Sequence, residues 1–352
     1  MKLLRAVLVG VGPFEELVLP FADENGEARP ITVLHGGGGT GKSSVLSAIA
    51  STRPGHCVVQ PARHEPREHA PPPFAACDWA LGQDEPARPH PLAVASPNAR
   101  LAPTDELEGL RRREQALFDR VASEGGFAFL AIASTRWFSR QPIAFSAPAR
   151  TVARYDVRAS AGLDDATRSD LARETKQALA YAAIASALSA PSHLAERRFD
   201  LLGSAMQSAV DSLAKLCGFA YRGLDPLSFE PIFAPLGHAR ALPFDALPTR
   251  ARHLVAFAAL AVRTLWAAYP DQDPREAEGV IAIDDVDLHQ DALVLQKLLP
   301  ALRSALPEAQ WILTTASPVV ASAADARAVL ALRHLPEGDG VRVFAGEQAR
   351  TH

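Results

Sequence analysis

Residues 31–51 read Ile31-Thr32-Val33-Leu34-His35-Gly36-Gly37-Gly38-Gly39-Thr40-Gly41-Lys42-Ser43-Ser44-Val45-Leu46-Ser47-Ala48-Ile49-Ala50-Ser51, and this stretch decides the fold. The apolar run 31–34 predicts a strand, and Val45, Leu46 and Ile49 fall at helical spacing. Between them, 36–43 fits G-x-x-x-x-G-K-[ST] in the strand–loop–helix context that a P-loop requires. Glycines let the backbone wrap a phosphate closely, and successive amides with the helix N-terminus supply positive potential. Lys42 adds a full charge near the β- and γ-phosphates, and Ser43 is positioned to ligate magnesium. The expected phosphate-binding set is Gly36, Gly37, Gly38, Gly39, Thr40, Gly41, Lys42, Ser43 and Ser44, with ATP and Mg2+ as nucleotide and ion. Only five of the 36 basic residues are lysines, at positions 2, 42, 176, 215 and 297, so a lysine inside a glycine loop is not incidental.

Working outward, 3–9 and 16–19 read as strands, separated by the turn Gly12-Pro13-Phe14. The stretch 54–104 is crowded with proline and holds strand candidates at 74–81 and 91–96. A helix is predicted at 107–123 and a buried strand at 127–134, followed by Arg136, Trp137, Phe138 and Arg140. The segments 164–189 and 193–216 read as a helical hairpin split at Pro191. Then 254–268 (helix), 279–283 (strand), 292–305 (helix) and 310–314 (strand) alternate as in a parallel sheet flanked by helices. The fold class predicted is α/β: a P-loop NTPase fold with a mixed or parallel β-sheet flanked by helices, plus a β-rich insert and a short helical lobe. The expected division is 1–53 and 218–345 for the ATPase core, 54–163 for the insert, and 164–217 for the hairpin.

The 352 residues carry 48% hydrophobic and 22% charged side chains, an ordinary globular composition that argues against wholesale disorder. No apolar run reaches the roughly 20 residues needed to span a bilayer, which predicts a cytoplasmic protein. Cys57, Cys77 and Cys217 are odd in number and widely spaced, which suits reduced thiols better than a disulfide framework or a zinc site. A formal charge of −4 gives no global attraction to nucleic acid. A local surface built from Arg136, Arg140, Arg150, Arg154 and Arg158 with Trp137 and Phe138 remains open for it, alongside the reading of a solvated charged face.

A second motif is Gly279-Val280-Ile281-Ala282-Ile283-Asp284-Asp285, an apolar strand ending in two acids, as a Walker B segment would place a carboxylate beside magnesium. Asp284 is the expected metal-shell residue, and Asp285 stands where a general base would polarise water. A third stretch, 305–318, predicts a strand whose polar end emerges beside the second motif, bringing Thr315 or Ser317 toward the γ-phosphate.

Together these segments resemble the ABC-type ATPases of the structural-maintenance-of-chromosomes (SMC), RecF and OLD kind, in a short form without a long coiled coil. Asp284-Asp285-Val286-Asp287-Leu288-His289 is similar to the family's acid-Glu-x-acid-x-His run, with Asp285 where catalytic glutamate is usual. Thr314-Thr315-Ala316-Ser317-Pro318 is similar to its Thr-Thr-His-Ser-Pro, with Ala316 in place of histidine. Leu247-Pro248-Thr249-Arg250-Ala251-Arg252 sits where the Leu-Ser-x-Gly-x-Arg signature would fall, with Pro248 and Arg250 breaking the pattern. The alternative for that segment is a plain helix start capped by Thr249. Gln141 lies near the usual place of a magnesium-contacting glutamine, or is an exposed loop residue.

The resemblance implies an ATP hydrolase with Lys42 and Asp285 as catalytic residues, slowed by the two departures. It also implies a homodimer that sandwiches ATP between the P-loop of one copy and Thr249 and Arg250 of the other. A complex with an effector protein is the alternative partner, nucleic acid is an open one, and no membrane is expected. Two other readings stand beside it: a catalytically degenerate ATP-binding regulatory subunit of a repair or defence complex, and a P-loop small-molecule kinase. The kinase fits less well, since its acids would lie far along the chain and no arginine-rich lid is evident.

Overall fold

Buried parallel strands flank the glycine loop, and their order sets what stands next to it. The computed structural model describes residues 1–52, 73–80, 91–96, 105–143, 170–189, 197–335 and 340–349. In chain order the elements are β1 (Lys2–Val11), β2 (Phe14–Pro20), β3 (Ile31–Gly36), α1 (Lys42–Ser51), β4 (Phe74–Ala80), β5 (Leu92–Ala95), α2 (Asp105–Glu124), β6 (Phe129–Ile132), α3 (Leu171–Ser189) and α4 (Arg197–Leu216). They continue with β7 (Phe219–Leu224), β8 (Pro231–Pro235), β9 (Leu242–Pro243), α5 (Thr249–Ala268), β10 (Gly279–Ile283), α6 (Ala292–Ala305), β11 (Ala309–Thr315), α7 (Pro318–Ala323), β12 (Val329–His334) and β13 (Val341–Ala345).

The central sheet runs β13-β12-β3-β11-β10-β6. All its pairings are parallel except β12 with β13. Every residue of β10 and β11 is buried, which explains why both read as continuous apolar runs without alternation. A second sheet, β2-β1-β4-β5, is antiparallel. The two sheets enclose α1, whose Val45, Leu46 and Ile49 join Leu8, Trp79, Ile312 and Leu330 in one core. On the other face of the central sheet, α3 to α6 supply Leu179, Met206, Phe257 and Leu298 against Ile281, Ile283 and Leu313. α5 is buried along nearly its whole length between hairpin and sheet.

The α/β P-loop architecture matches the expectation, with strand and helix bounds within a few residues at most positions. α5 begins at Thr249, five residues earlier than the periodicity suggested, because Pro248 is well tolerated just ahead of a first turn. β12 and β13 went unread: Val329 to Leu332 is a short buried run, which periodicity does not assign to helix or strand.

β4 pairs with β1 and β6 pairs with β10, so the described strands of 54–163 contribute to both sheets. Likewise α3 and α4 pack into the core cluster of the central sheet. Gln310 joins the two sheets at their edge: its buried amide accepts from Leu3 N (2.7 Å) and donates to Leu3 O (2.8 Å), where a register shift in β1 frees that peptide.

Candidate functional site

The glycine loop is held from three sides. Gly41 has φ +88, and a Cβ there would meet the Phe14 ring at 2.6 Å and Pro13 at 2.7 Å. The Gly12-Pro13-Phe14 turn therefore packs directly on the loop, and only glycine fits at 41. Gly36 is equally confined, since its Cβ would lie 2.5 Å from the Leu332 carbonyl and 2.7 Å from Thr40 Oγ1. Gly37, Gly38 and Gly39 are exposed. Lys42 is buried and folds over the loop, its Nζ donating to the carbonyls of Gly36 and Gly37, both at 2.8 Å.

Asp284 leaves the end of β10 and meets this loop. Ser43 Oγ donates to Asp284 Oδ2 at 2.7 Å across 241 residues of sequence. Thr314 Oγ1, from β11 between the two motif strands, donates to Asp284 Oδ1 at 2.5 Å. The same hydroxyl accepts from Asp285 N at 2.7 Å. Asp284 is 1% exposed, whereas Asp285 is half-buried with φ +43, the left-handed region that few non-glycine residues occupy. Burial and the neighbouring Asp284 carboxylate raise the Asp285 pKa above the usual range, opposed by Lys42.

The other candidate residues each have a partner within the fold. Thr315 is fully buried and its hydroxyl donates to Asp287 Oδ1 at 2.5 Å, so it braces the turn after β10. Ser317 caps α7, accepting from Val319 N. Thr249 is not a cap: Pro248 holds that position, and Thr249 Oγ1 accepts from Arg252 Nη2. Arg250 pairs with Asp291 Oδ2 at 2.6 Å, Asp291 also capping α6 through Val294 N. Gln141 is exposed, and its carbonyl accepts from Lys176 Nζ at 3.0 Å.

Of the arginines read as a charged face, only Arg136 and Arg140 lie among the described residues. Arg136 is 5% exposed, its guanidinium facing inward to Phe257 and to backbone carbonyls. Burial lowers its pKa to about 10, offset by Asp284, Asp285 and Asp287. Arg140 is exposed, while Arg150, Arg154 and Arg158 lie outside the described residues, as does Cys57. Cys77 and Cys217 are buried free thiols. Sequence reasoning missed Arg136, Thr314 and Lys176 as structural partners of the site.

Beside Arg136, the fully buried His253 ring stacks on His289 (centroids 5.2 Å, 11° between planes) and neighbours Phe138 and Phe257. Neither ring nitrogen has a hydrogen-bond partner among the described residues. Burial, with Arg136, His289 and Arg252, depresses its pKa to about 3. The unfolded chain titrates this imidazole near its ordinary 6.5, so from there down to about pH 3 it takes up a proton that the fold refuses. His253 therefore favours unfolding as pH falls through that window, by at most about 1.4 kcal/mol per pH unit. Denaturant melts from pH 7 to 4 should show a shallower loss of stability in His253→Phe than in the parent; identical slopes would refute this assignment.

The donor set suits a nucleotide with a hard cation. Ser43 and Asp284 offer oxygen ligands to magnesium, which ordinarily keeps waters and phosphate oxygens for its remaining positions. Among the described residues no cluster of three or more His, Cys, Asp or Glu forms a self-sufficient metal site, so phosphate would have to complete this one. No described helix is long and apolar enough to cross a membrane.

No protein-family model matches the chain. Solved structures do. An SMC head bound to the C-winged helix domain of ScpA matches with a TM-score of 0.54 at 15% identity, covering 98% of both chains. The SMC head domain from Thermotoga maritima matches at 0.53 and 15% identity, covering 99% of this chain and 100% of that one. An SMC head with an extended coiled coil, bound to the C-terminal domain of ScpA derived from Pyrococcus furiosus, matches at 0.51 and 16%, covering 98% and 96%. Over nearly its whole length, the chain therefore has the fold of an SMC head domain.

Proposed function

We propose that this chain is an ABC-type ATP switch of the SMC head kind. It binds ATP with magnesium through residues 36–44 and Asp284, and two copies close head to tail over the nucleotides. The observation that carries the reading is the Ser43–Asp284 hydrogen bond, which unites the glycine loop and the acidic strand end as one oxygen-donor pair. In the closed dimer, Thr249 and Arg250 of one copy would face the phosphates held by the other, which requires Arg250 to leave Asp291.

Hydrolysis proceeds by in-line attack of water, with magnesium and Lys42 neutralising charge and Asp285 orienting the nucleophile. Turnover is slow, because Asp285 is one methylene shorter than glutamate and Ala316 offers no polar side chain. A protein partner fits the same reading, since two of the similar SMC heads are bound to parts of ScpA.

The test pairs calorimetric titration of ATP, with and without magnesium, with single-turnover hydrolysis. Micromolar magnesium-dependent binding with slow phosphate release is expected, and Asp285→Glu should raise the rate severalfold without tightening binding. Indifference to millimolar nucleotide would end the proposal. A regulatory subunit that holds ATP without hydrolysing it is favoured by Ala316 and by the tethered Arg250, and tight binding with no phosphate release would select that reading.

A further inference from the structure

The turn that carries the two acids is fixed by side chains of other elements. Asp285 lies between two peptides held by neighbouring groups: Val286 N donates to the Thr314 carbonyl at 2.9 Å, and Leu288 N donates to the Asp285 carbonyl at 3.0 Å. The Asp285 N–H is taken by Thr314 Oγ1 at 2.7 Å. Its carbonyl accepts from Arg136 Nη2 at 2.6 Å, and the Asp284 carbonyl accepts from Arg136 Nη1 at 2.5 Å. The same Nη1 reaches the carbonyl of Ala133, at the end of β6. One planar guanidinium thus ties β6 to two successive carbonyls of the left-handed turn, a fork geometry that an ammonium does not reproduce.

The setting makes this contact costly to lose. Arg136 is 5% exposed and its guanidinium lies over the Phe257 ring of α5 at 5.2 Å. The Asp284 carboxylate is committed to Ser43 and Thr314. Arg136 Nη1 and Nη2 donate to backbone carbonyls, while its buried Nε has no hydrogen-bond partner among the described residues. An outlier backbone at a site is maintained only where its surroundings over-determine it.

We infer that Arg136 is a positioning residue: it clamps the Asp284–Asp285 turn so that the Asp284 carboxylate stands beside Ser43, ready to hold a magnesium ion. The inference rests on the nucleotide reading above, and Arg136 itself touches neither nucleotide nor metal. Arg136→Lys keeps the charge but can serve only part of the fork, and Arg136→Met keeps the packing on Phe257 without any donor.

The experiment measures ATP affinity of each full-length variant in EDTA and in saturating magnesium, together with amide hydrogen exchange across 283–288 in the nucleotide-free protein. In the parent, magnesium should tighten ATP binding at least about tenfold. In both variants affinity in EDTA should stay within about twofold of the parent while most of the magnesium gain disappears, and exchange at 284–288 should quicken. A merely structural role would lower both affinities together. Should Arg136→Ala fold poorly, added ethylguanidinium should restore its magnesium response. Arg136→Lys and Arg136→Met with an undiminished magnesium gain and unchanged exchange would overturn the clamp while leaving nucleotide binding intact. No ATP binding by the parent would overturn the nucleotide reading and this inference with it.

Discussion

Lys42→Ala should weaken magnesium-ATP binding by about 10²–10³-fold, the scale at which removal of one preorganised charge from a water-poor phosphate site is felt. In the nucleotide-free fold the ammonium is buried and donates to the carbonyls of Gly36 and Gly37. Those two bonds orient the charge over the loop where phosphate oxygens would lie, so a ligand exchanges carbonyl acceptors for stronger anionic ones. Lys42→Arg is not a conservative rescue, because the planar guanidinium delivers its charge as a rigid fork where the ammonium is a compact point charge. Lys42→Met separates charge from packing: it retains the stem, so its melting temperature should stay near the parent's while its affinity falls with that of alanine. Titration calorimetry and thermal melts decide the matter, and a methionine variant that binds ATP like the parent would defeat the phosphate reading of this loop.

What the sequence made legible is what local chemistry encodes. The β3–loop–α1 unit could be read because glycine permits the turn, helical spacing follows at once, and the fixed Lys42-Ser43 pair needs no distant information. β10 and β11 were legible because a parallel strand buried on both faces must be apolar along its whole length. The partners of Asp284 were not legible in this way. Arg136 acts from 148 residues away and Thr314 from 30, and in one dimension an arginine after a strand is indistinguishable from a surface charge. The expectation that Arg136 joined an exposed basic patch failed for that reason. Thr314 and Thr315 are adjacent in sequence, yet the first bonds Asp284 and the second Asp287, a division of roles that the sequence does not mark. The sharing of β4 and β6 between sheets was likewise invisible, since partners as far apart as Val9 and Phe74, or Val280 and Phe129, leave no local mark.

A second lysine, at the opposite extreme of function, should show the largest effect on stability. Lys176 is 1% exposed in α3, and its ammonium meets Asp245 Oδ2 at 2.6 Å, Glu230 Oε2 at 3.2 Å and the Gln141 carbonyl at 3.0 Å. It thereby joins the hairpin, the β7–β8 connection, the turn before α5 and the loop that follows Arg136. Replacing it with methionine preserves most of the volume but leaves two carboxylates facing each other without their counter-charge. Breaking a buried pair from one side typically costs about 3–5 kcal/mol. Both acids retain roughly a quarter of their exposure, so the lower end, about 3 kcal/mol, is expected for Lys176→Met by denaturant unfolding at pH 7. Because that loss is the penalty of stranded acids, Lys176→Met combined with Asp245→Asn and Glu230→Gln should recover a large part of it. Recovery would establish electrostatic balance as the source, and a triple variant no more stable than the single one would instead place the cost in lost packing around the lysine stem. ATP affinity in EDTA should remain unchanged in the single variant, since Lys176 reaches the loop after β6 through Gln141 and makes no contact with residues 36–44.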